Sequence, residues 1–297
     1  MTKPIVVGMG EALWDVLPSG KQIGGAPANF AFHAGQAGMD ARVVSAVGTD
    51  ALGTETLEAL RGKQLNVDAV ARVDFPTGVV NVTLGEQGVP QYEIIEHVAW
   101  DNIPFTPQLE ALARETQAVC WGSLAQRSEV SAATILRFLD TMPSGEGRLK
   151  VFDINLRQQF YSLDIIETSA KRANVLKIND EELVIVSRLL RLGTTDVEQQ
   201  CRALLTRYAL DMVVLTCGTN GSYIFTPDET YFRTTPQVEV ADTVGAGDSF
   251  TATLVSDLLR GVPVSEAHEH AVRVAAYVCS QKGAMAEWSK APAERCD

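Results

Sequence analysis

Positive charge runs short in this chain. Its 297 residues carry 25 Lys and Arg against 37 Asp and Glu, a formal net charge of −12 with histidine neutral. That deficit excludes the basic surface a nucleic acid partner needs. No apolar stretch approaches the ~20 residues that span a bilayer, so no membrane partner is expected either. Cysteine is sparse and badly spaced for chemistry: Cys120, Cys201, Cys217, Cys279 and Cys296 are odd in number and contain no CxxC pair. Neither a zinc site nor a disulfide framework is indicated. In the opening MTKPIVVGMGEALWD the apolar run Ile5–Val7 is too short for a signal segment and Glu11 follows soon after. A cytoplasmic, reduced setting is expected. Of the four histidines, His268 and His270 stand two apart and face different sides of a helix, while His33 and His97 are isolated, so no metal pair forms. No Gly-Lys-Ser/Thr loop occurs anywhere, and the start Gly8-x-Gly10 fails as a dinucleotide fingerprint because Leu13 stands where a third glycine is needed.

What is present is an ordinary globular composition, 46% hydrophobic and 21% charged, enough to bury a sizeable core. From about residue 117 short aliphatic runs (Ala118–Trp121, Leu149–Ile154, Val175–Ile178, Met212–Thr216) alternate with helical patterns such as Ser128–Asp140 and Val197–Tyr208. The strand Ile5–Gly8, a helix across Ala26–Gly35, the strand Arg42–Val47 and a helix around Leu52–Arg61 extend the pattern toward the start. This predicts an α/β fold, a mostly parallel sheet with helices on both faces. Between 67 and 97 the rhythm changes to period two: Val80, Val82 and Leu84 alternate, Gly85–Gly88 turns, and Gln91–His97 resumes as a second antiparallel strand. Such a hairpin reads either as a flap over a cleft or as a plain surface hairpin. With no repeat and no Pro/Ser-rich linker, one domain over 1–297 is expected, carrying a lid built from about 11–22 and 67–100.

The segment richest in chemistry is Asp242-Thr243-Val244-Gly245-Ala246-Gly247-Asp248-Ser249-Phe250, a glycine turn leading into a helix whose apolar face runs Phe250, Leu254, Leu258. Backbone N–H groups of Gly245, Ala246 and Gly247 converge there at the positive end of the helix dipole, which suits a phosphate or a developing oxyanion. Asp248 in the first turn reads as a helix cap. Beside an anion cradle it also reads as the base that takes a proton from an attacking hydroxyl.

This segment resembles the second signature of the ribokinase-like (phosphofructokinase B) sugar kinases. Gly24-Gly25-Ala26-Pro27-Ala28-Asn29-Phe30-Ala31 resembles their sugar-binding segment, and Gly8–Asp15 their first strand with its following aspartate. The resemblance covers nearly the whole chain in order. It implies a three-layer α/β/α ribokinase-like fold with a small β lid, and sugar contacts at Asp15, Gly24, Gly25 and Asn29. Asn179-Asp180-Glu181-Glu182 resembles the family's N-x-x-E motif, which implies that Asn179 and Glu182 organise Mg²⁺ through its waters; by itself it also reads as an acid-rich helix start. Thr216-Cys217-Gly218-Thr219-Asn220-Gly221 resembles the nucleotide loop, with Thr216, Gly218 and Gly221 at ATP, and by itself also reads as a hairpin turn into Ser222–Phe225. Arg157, at the end of Asp153-Ile154-Asn155-Leu156-Arg157, reads as a clamp on a phosphate or sugar oxygen or as a salt-bridged structural arginine. Asp242 and Thr243, beside Gly283-Ala284, are implied as a K⁺ site. Gly122–Arg127, Asp153–Arg157 and Gly10–Leu13 most resemble the fructokinase branch. The implied activity is ATP-dependent phosphorylation of a sugar primary hydroxyl, D-fructose to fructose 6-phosphate. Ribose, 2-keto-3-deoxygluconate or a nucleoside are the rival substrates, and a sugar-binding relative without catalysis is the rival of another class. A homodimer through the lid is also implied. Trp100-Asp101, after the second lid strand, reads as a sugar cover or as hinge packing. The polar tail Ala286–Asp297 is expected to be loosely ordered, with Cys296 exposed.

Overall fold

The computed structural model describes residues 2–17, 20–84 and 90–288. Its strands are β1 (Ile5–Met9), β2 (Leu13–Leu17), β3 (Gly20–Gly24), β4 (Asp40–Gly48), β5 (Val70–Val73), β6 (Val79–Leu84), β7 (Pro90–Ile94), β8 (Ala118–Trp121), β9 (Leu149–Asp153), β10 (Val175–Asn179), β11 (Met212–Thr216), β12 (Ser222–Phe225) and β13 (Thr230–Arg233). Its helices are α1 (Ala26–Gln36), α2 (Ala51–Gly62), α3 (Pro107–Glu115), α4 (Glu129–Thr141), α5 (Leu163–Ala170), α6 (Asp180–Leu190), α7 (Val197–Tyr208), α8 (Ala246–Leu259) and α9 (Val264–Cys279).

Nine strands form one sheet in the order β13-β12-β11-β10-β9-β8-β1-β4-β5. From β11 to β5 every pairing is parallel; β12 and β13 add an antiparallel edge. Period-two alternation splits the strand side chains between two cores. Met9, Trp121, Phe152, Leu176 and Leu215 face α3 to α7, whereas Val6, Cys120, Val151, Val175 and Val214 face α1, α2, α8 and α9. This is the expected α/β/α layering. After β1 the chain builds outward through β4 and β5, and from β8 it builds the other way, so β1 and β8 are neighbours at a topological switch point. Open α/β sheets bind ligands beyond the carboxyl ends of such strands.

A second, four-stranded sheet has the order β3-β2-β6-β7. Its β6–β7 pair is the antiparallel hairpin read from the sequence, and β2–β3 supplies a second one. In-register partners share a face, which sets Asp15 beside Val80 and Val80 opposite Ile94, both buried in the core on the α3 to α7 side. Val70–Val73 lies in the large sheet, so the small one draws only β6 and β7 from 67–100. The second hairpin strand ends at Ile94 rather than His97, because His97 takes a left-handed φ of 58° that breaks the pleat. The Gly85–Gly88 turn falls outside the described residues.

Two expectations need correction. The chain does not loosen at Ala286: Ala286 is buried, the Trp288 amide donates to Gln36 Oε1 (2.7 Å) and its indole N–H donates to His33 Nδ1 (3.1 Å). Polarity hid a docking aromatic. Residues 289–297, Cys296 included, lie outside the described residues. The spacing of His268 and His270 suggests a solvated or half-buried role, yet His268 is fully buried, as is the isolated His33, and His268 shares a 2.7 Å hydrogen bond with Ser222 Oγ. No helix among the described residues is long and apolar enough to cross a membrane.

Candidate active site

Glycine geometry shapes the cradle at the start of α8. Gly245 caps the helix with φ 82°, and a Cβ there would stand 2.6 Å from the Ala284 carbonyl oxygen, so only glycine fits the turn. Gly247 has Lys177 Nζ 3.1 Å from where its Cβ would be. The first-turn amides of a helix have no intrahelical acceptors; here the Ala246 amide makes a long 3.4 Å bond to the Thr243 carbonyl outside the helix, and Asp248 at the positive dipole end shares a cavity with Trp121, Gly122 and Asp153 at the carboxyl ends of β8 and β9. Asp248 follows, half-buried, its Oδ2 accepting from Asn29 Nδ2 at 2.8 Å. Loss of solvent pushes its carboxyl up to about 6; the Asn29 bond and the charges of Lys177 and Arg157 pull down against it, while Asp153 adds to the rise.

The sugar-side candidates gather at the same place. Gly25, with φ 112°, precedes α1 and approaches the Glu11 carbonyl so closely that a Cβ would lie 2.3 Å away. A Cβ on Gly24 would lie 2.8 Å from Asp15 Oδ2. Asn29, one turn into α1 and 4% exposed, spends its amide N–H on Asp248 and keeps Oδ1 without a partner. Burial raises the Asp15 carboxyl, and Arg157 lowers it. Arg157 is exposed, and its charge acts on Glu11, Asp15 and Asp248 alike. Its segment carries two left-handed residues that are not glycine, Asn155 (φ 43°) and Gln158 (φ 48°), and Gln158 Nε2 donates to the Tyr92 carbonyl on β7. Strain of this kind concentrates at functional loops.

Asn179 and Glu182 form a reciprocal capping box at the start of α6: Asn179 Oδ1 accepts the Glu182 amide (2.8 Å) and Glu182 Oε2 accepts the Asn179 amide (2.9 Å). Glu182 Oε1 accepts the Leu156 amide (2.8 Å), which anchors the Arg157 segment. With both oxygens engaged, Glu182 suits a metal's water shell better than the metal itself. Among the described residues no group of three or more His, Cys, Asp or Glu is arranged to hold a metal ion. Thr216 ends β11 beside Asn179, and Gly218 (φ 54°) and Gly221 (φ 100°) turn the chain into β12, so the segment is a hairpin turn that also sits at the sheet's carboxyl edge. Asp242 Oδ1 accepts the Val244 amide and Oδ2 the Gly283 amide, tying Thr243 and the cradle turn to Gly283-Ala284.

Three buried charges went unassigned in the sequence. Glu11 is 3% exposed, has one carboxyl oxygen without a partner, and is pushed up to about 7, chiefly by burial. Asp153 and Lys177 form an ion pair beneath the cradle. A charge set in each of two apolar strands, VFDIN and VLKIN, was the available signal. Trp100, 1% exposed, is hinge packing rather than a sugar cover. Arg127 lies over its ring, pairs with Asp101 (2.8 Å) and donates to the Ile95 carbonyl, fastening the base of β7 to the main body.

Comparison with known proteins bears on the family and the fold. The profile described as pfkB family carbohydrate kinase matches residues 19–291. A fructokinase of Salmonella typhimurium is 29% identical over 296 residues, covering 95% of this chain and 92% of the relative. An ATP-dependent 6-phosphofructokinase of Thermoanaerobacterium thermosaccharolyticum is 26% identical over 272 residues, covering 90% and 82%. Among solved structures, the fructokinase of Vibrio cholerae O395 with fructose, ADP and calcium ion bound superposes with a TM-score of 0.80 at 23% identity over 96% of each chain. A double-mutant form of that enzyme holds fructose, ADP and potassium ion.

Proposed function

The chain belongs to the pfkB family of carbohydrate kinases, and we propose that within it this protein is an ATP-dependent fructokinase making fructose 6-phosphate. One observation carries the reading: the 2.8 Å bond from Asn29 to Asp248 joins the sugar-side helix to the phosphate cradle, so a hydroxyl bound by one is delivered to the other. Asp248 takes the proton of the primary hydroxyl as that oxygen bonds to the γ-phosphorus, the bond from phosphorus to the ADP oxygen breaks, and ADP leaves. The amides of Gly245, Ala246 and Gly247 stabilise the charge on the transferred group. A neutral sugar fits better than a phosphorylated or carboxylated one, because Glu11, Asp15 and Asp248 share Arg157 as their common cation and a further anion would crowd carboxylates. Thr216, Gly218 and Gly221 would line the nucleotide side. Mg²⁺ arriving with ATP would neutralise part of the phosphate charge, its waters meeting Asn179 and Glu182. The small sheet would close over the sugar and keep water from the γ-phosphate. A cytoplasmic location, a homodimer through that sheet and a K⁺ ion beside Asp242 and Thr243 belong to the same proposal.

The test is coupled ADP release over fructose, ribose, 2-keto-3-deoxygluconate, fructose 6-phosphate and nucleosides, run in K⁺ and in a bulky organic cation at equal ionic strength. Fructose is expected to give the highest kcat/KM and K⁺ the faster rate. A different preferred sugar displaces the substrate, equal rates in both salts remove the cation site, and no ADP release from any of them favours a sugar-binding protein without catalysis.

Asp15→Ala is expected to weaken sugar binding by about 1.5–3 kcal/mol, the worth of a hydrogen bond to a charged group, and ATP binding much less. Calorimetric titration of both ligands checks this. Equal losses would move Asp15 out of the sugar pocket.

A further inference from the structure

A lysine in the middle of an apolar strand demands a partner. Lys177, between Leu176 and Ile178 in β10, is 8% exposed, and Asp153 at the end of β9 is 6% exposed. The parallel register sets the two side by side, with Nζ 3.2 Å from Oδ1. Burying an ion pair seldom stabilises a fold more than apolar residues of the same volume would, so stability alone does not account for this one. Its position does. Strand alternation, which sends Val151 and Val175 toward α1 and α8, sends Asp153 and Lys177 the same way. From there Lys177 Nζ comes within 3.1 Å of the Cβ position at Gly247, and Asp153 and Asp248 line one cavity of about 10 Å³ together with Cys120 and Thr251. The ammonium thus lies beneath a helix N-terminus that is already positive, an arrangement that suits a site receiving several negative charges.

We propose that the buried Asp153–Lys177 ion pair is the positioning element of the phosphate cradle: Lys177 supports Gly247 from below and sets the charge balance at Asp248, and Asp153 holds Lys177 in place. The proposal rests on the reading of Asp248 as the base.

The charged and titratable groups around Asp248 come from every surrounding element. Glu11 follows β1, Cys120 lies in β8, Asp153 ends β9, Arg157 follows it and Lys177 lies in β10, where Glu182 of the first turn of α6 also acts on it; Asn29 of α1 hydrogen-bonds the carboxylate directly. Lys177 and Asp153 act on Asp248 with opposite signs. Removing the cation leaves two carboxylates facing each other across the cavity and makes Asp248 harder to ionise. Removing the Asp153 charge leaves Lys177 to act on Asp248 unopposed and makes it easier.

The experiment is the pH dependence of kcat/KM for the preferred sugar in Lys177→Met and Asp153→Asn, with thermal melting of each. The acid limb is expected to move up by about half a pH unit or more in the first and down in the second, opposite signs that a merely structural pair would not produce. In Lys177→Met, kcat is expected to fall about tenfold or more with sugar KM changed less than about threefold, as for a lost contribution to transition-state charge. Lys177→Met strands a buried carboxylate, so Asp153→Asn/Lys177→Met is measured beside it. There the limb is expected near its wild-type position with kcat still reduced about tenfold. Limbs unmoved or moved in the same direction, or a double variant with wild-type kcat, overturn the pair's role. Asp248→Ala with wild-type turnover overturns instead the reading beneath it.

Discussion

Asp248→Ala is expected to lower kcat by about 10²–10⁴, equivalent to roughly 3–5 kcal/mol of barrier, while the protein folds and still binds sugar. The carboxylate oxygen that Asn29 does not occupy is free for the substrate hydroxyl, and no other group at the cradle is both bonded to the sugar-side helix and set in the first turn of α8. The pH dependence carries the same signature. Loss of solvent holds the Asp248 carboxyl at about 6, so wild-type kcat/KM should fall as pH drops through that value and the base becomes protonated. Single-turnover kinetics with calorimetric sugar binding checks both parts. Retention of more than about a tenth of wild-type turnover contradicts a general base, whose loss removes at least two orders of magnitude.

The largest effect on stability is expected from Arg127→Met. Arg127 and Asp101 have side chains only 6% and 7% exposed, with Nε 2.8 Å from Oδ1 and Nη2 2.9 Å from Oδ2. The guanidinium also stacks on Trp100 and Phe160 and reaches the Ile95 carbonyl at the end of β7. Removing it strands a buried carboxylate, a loss of about 3–5 kcal/mol. Urea denaturation measures it. Asp101→Asn in the Arg127→Met background removes the stranded charge but keeps an acceptor for the Val98 amide, so the double variant should recover part of the loss. A double variant less stable than Arg127→Met would show that the charge was not the source.

Periodicity carried most of the fold. Ala118–Trp121, Met212–Thr216 and Val197–Tyr208 were legible residue for residue, because buried strands and amphipathic helices announce themselves locally. The glycine turn into α8 was legible from its own residues, and Asn29 only through the family resemblance. What a sequence hides is pairing across distance. The contact between Asp153 and Lys177 spans 24 residues and arises from strand order, and the bond from Asn29 to Asp248 spans 219. The docking of Trp288 was hidden for a different reason: a lone aromatic in a polar tail has no period, and its partners, His33 and Gln36 on α1 and His270 and Val274 on α9, are distant in sequence.

That docking orders the events of synthesis. His33 Nε2–H donates to the Ala284 carbonyl across 251 residues, and Ala284 is the residue against which Gly245 must close. Burial drives the His33 ring down to about 4, so the imidazole is neutral at physiological pH and keeps one nitrogen as donor and the other as acceptor for Trp288. The helix α1 is translated well before Ala284, the residue packed against the cradle turn. A nascent chain that has exposed Asp15, Asn29 and Asp248 therefore still lacks the Ala284 contact that braces Gly245, and that brace forms only after the segment through Trp288 has emerged and folded back.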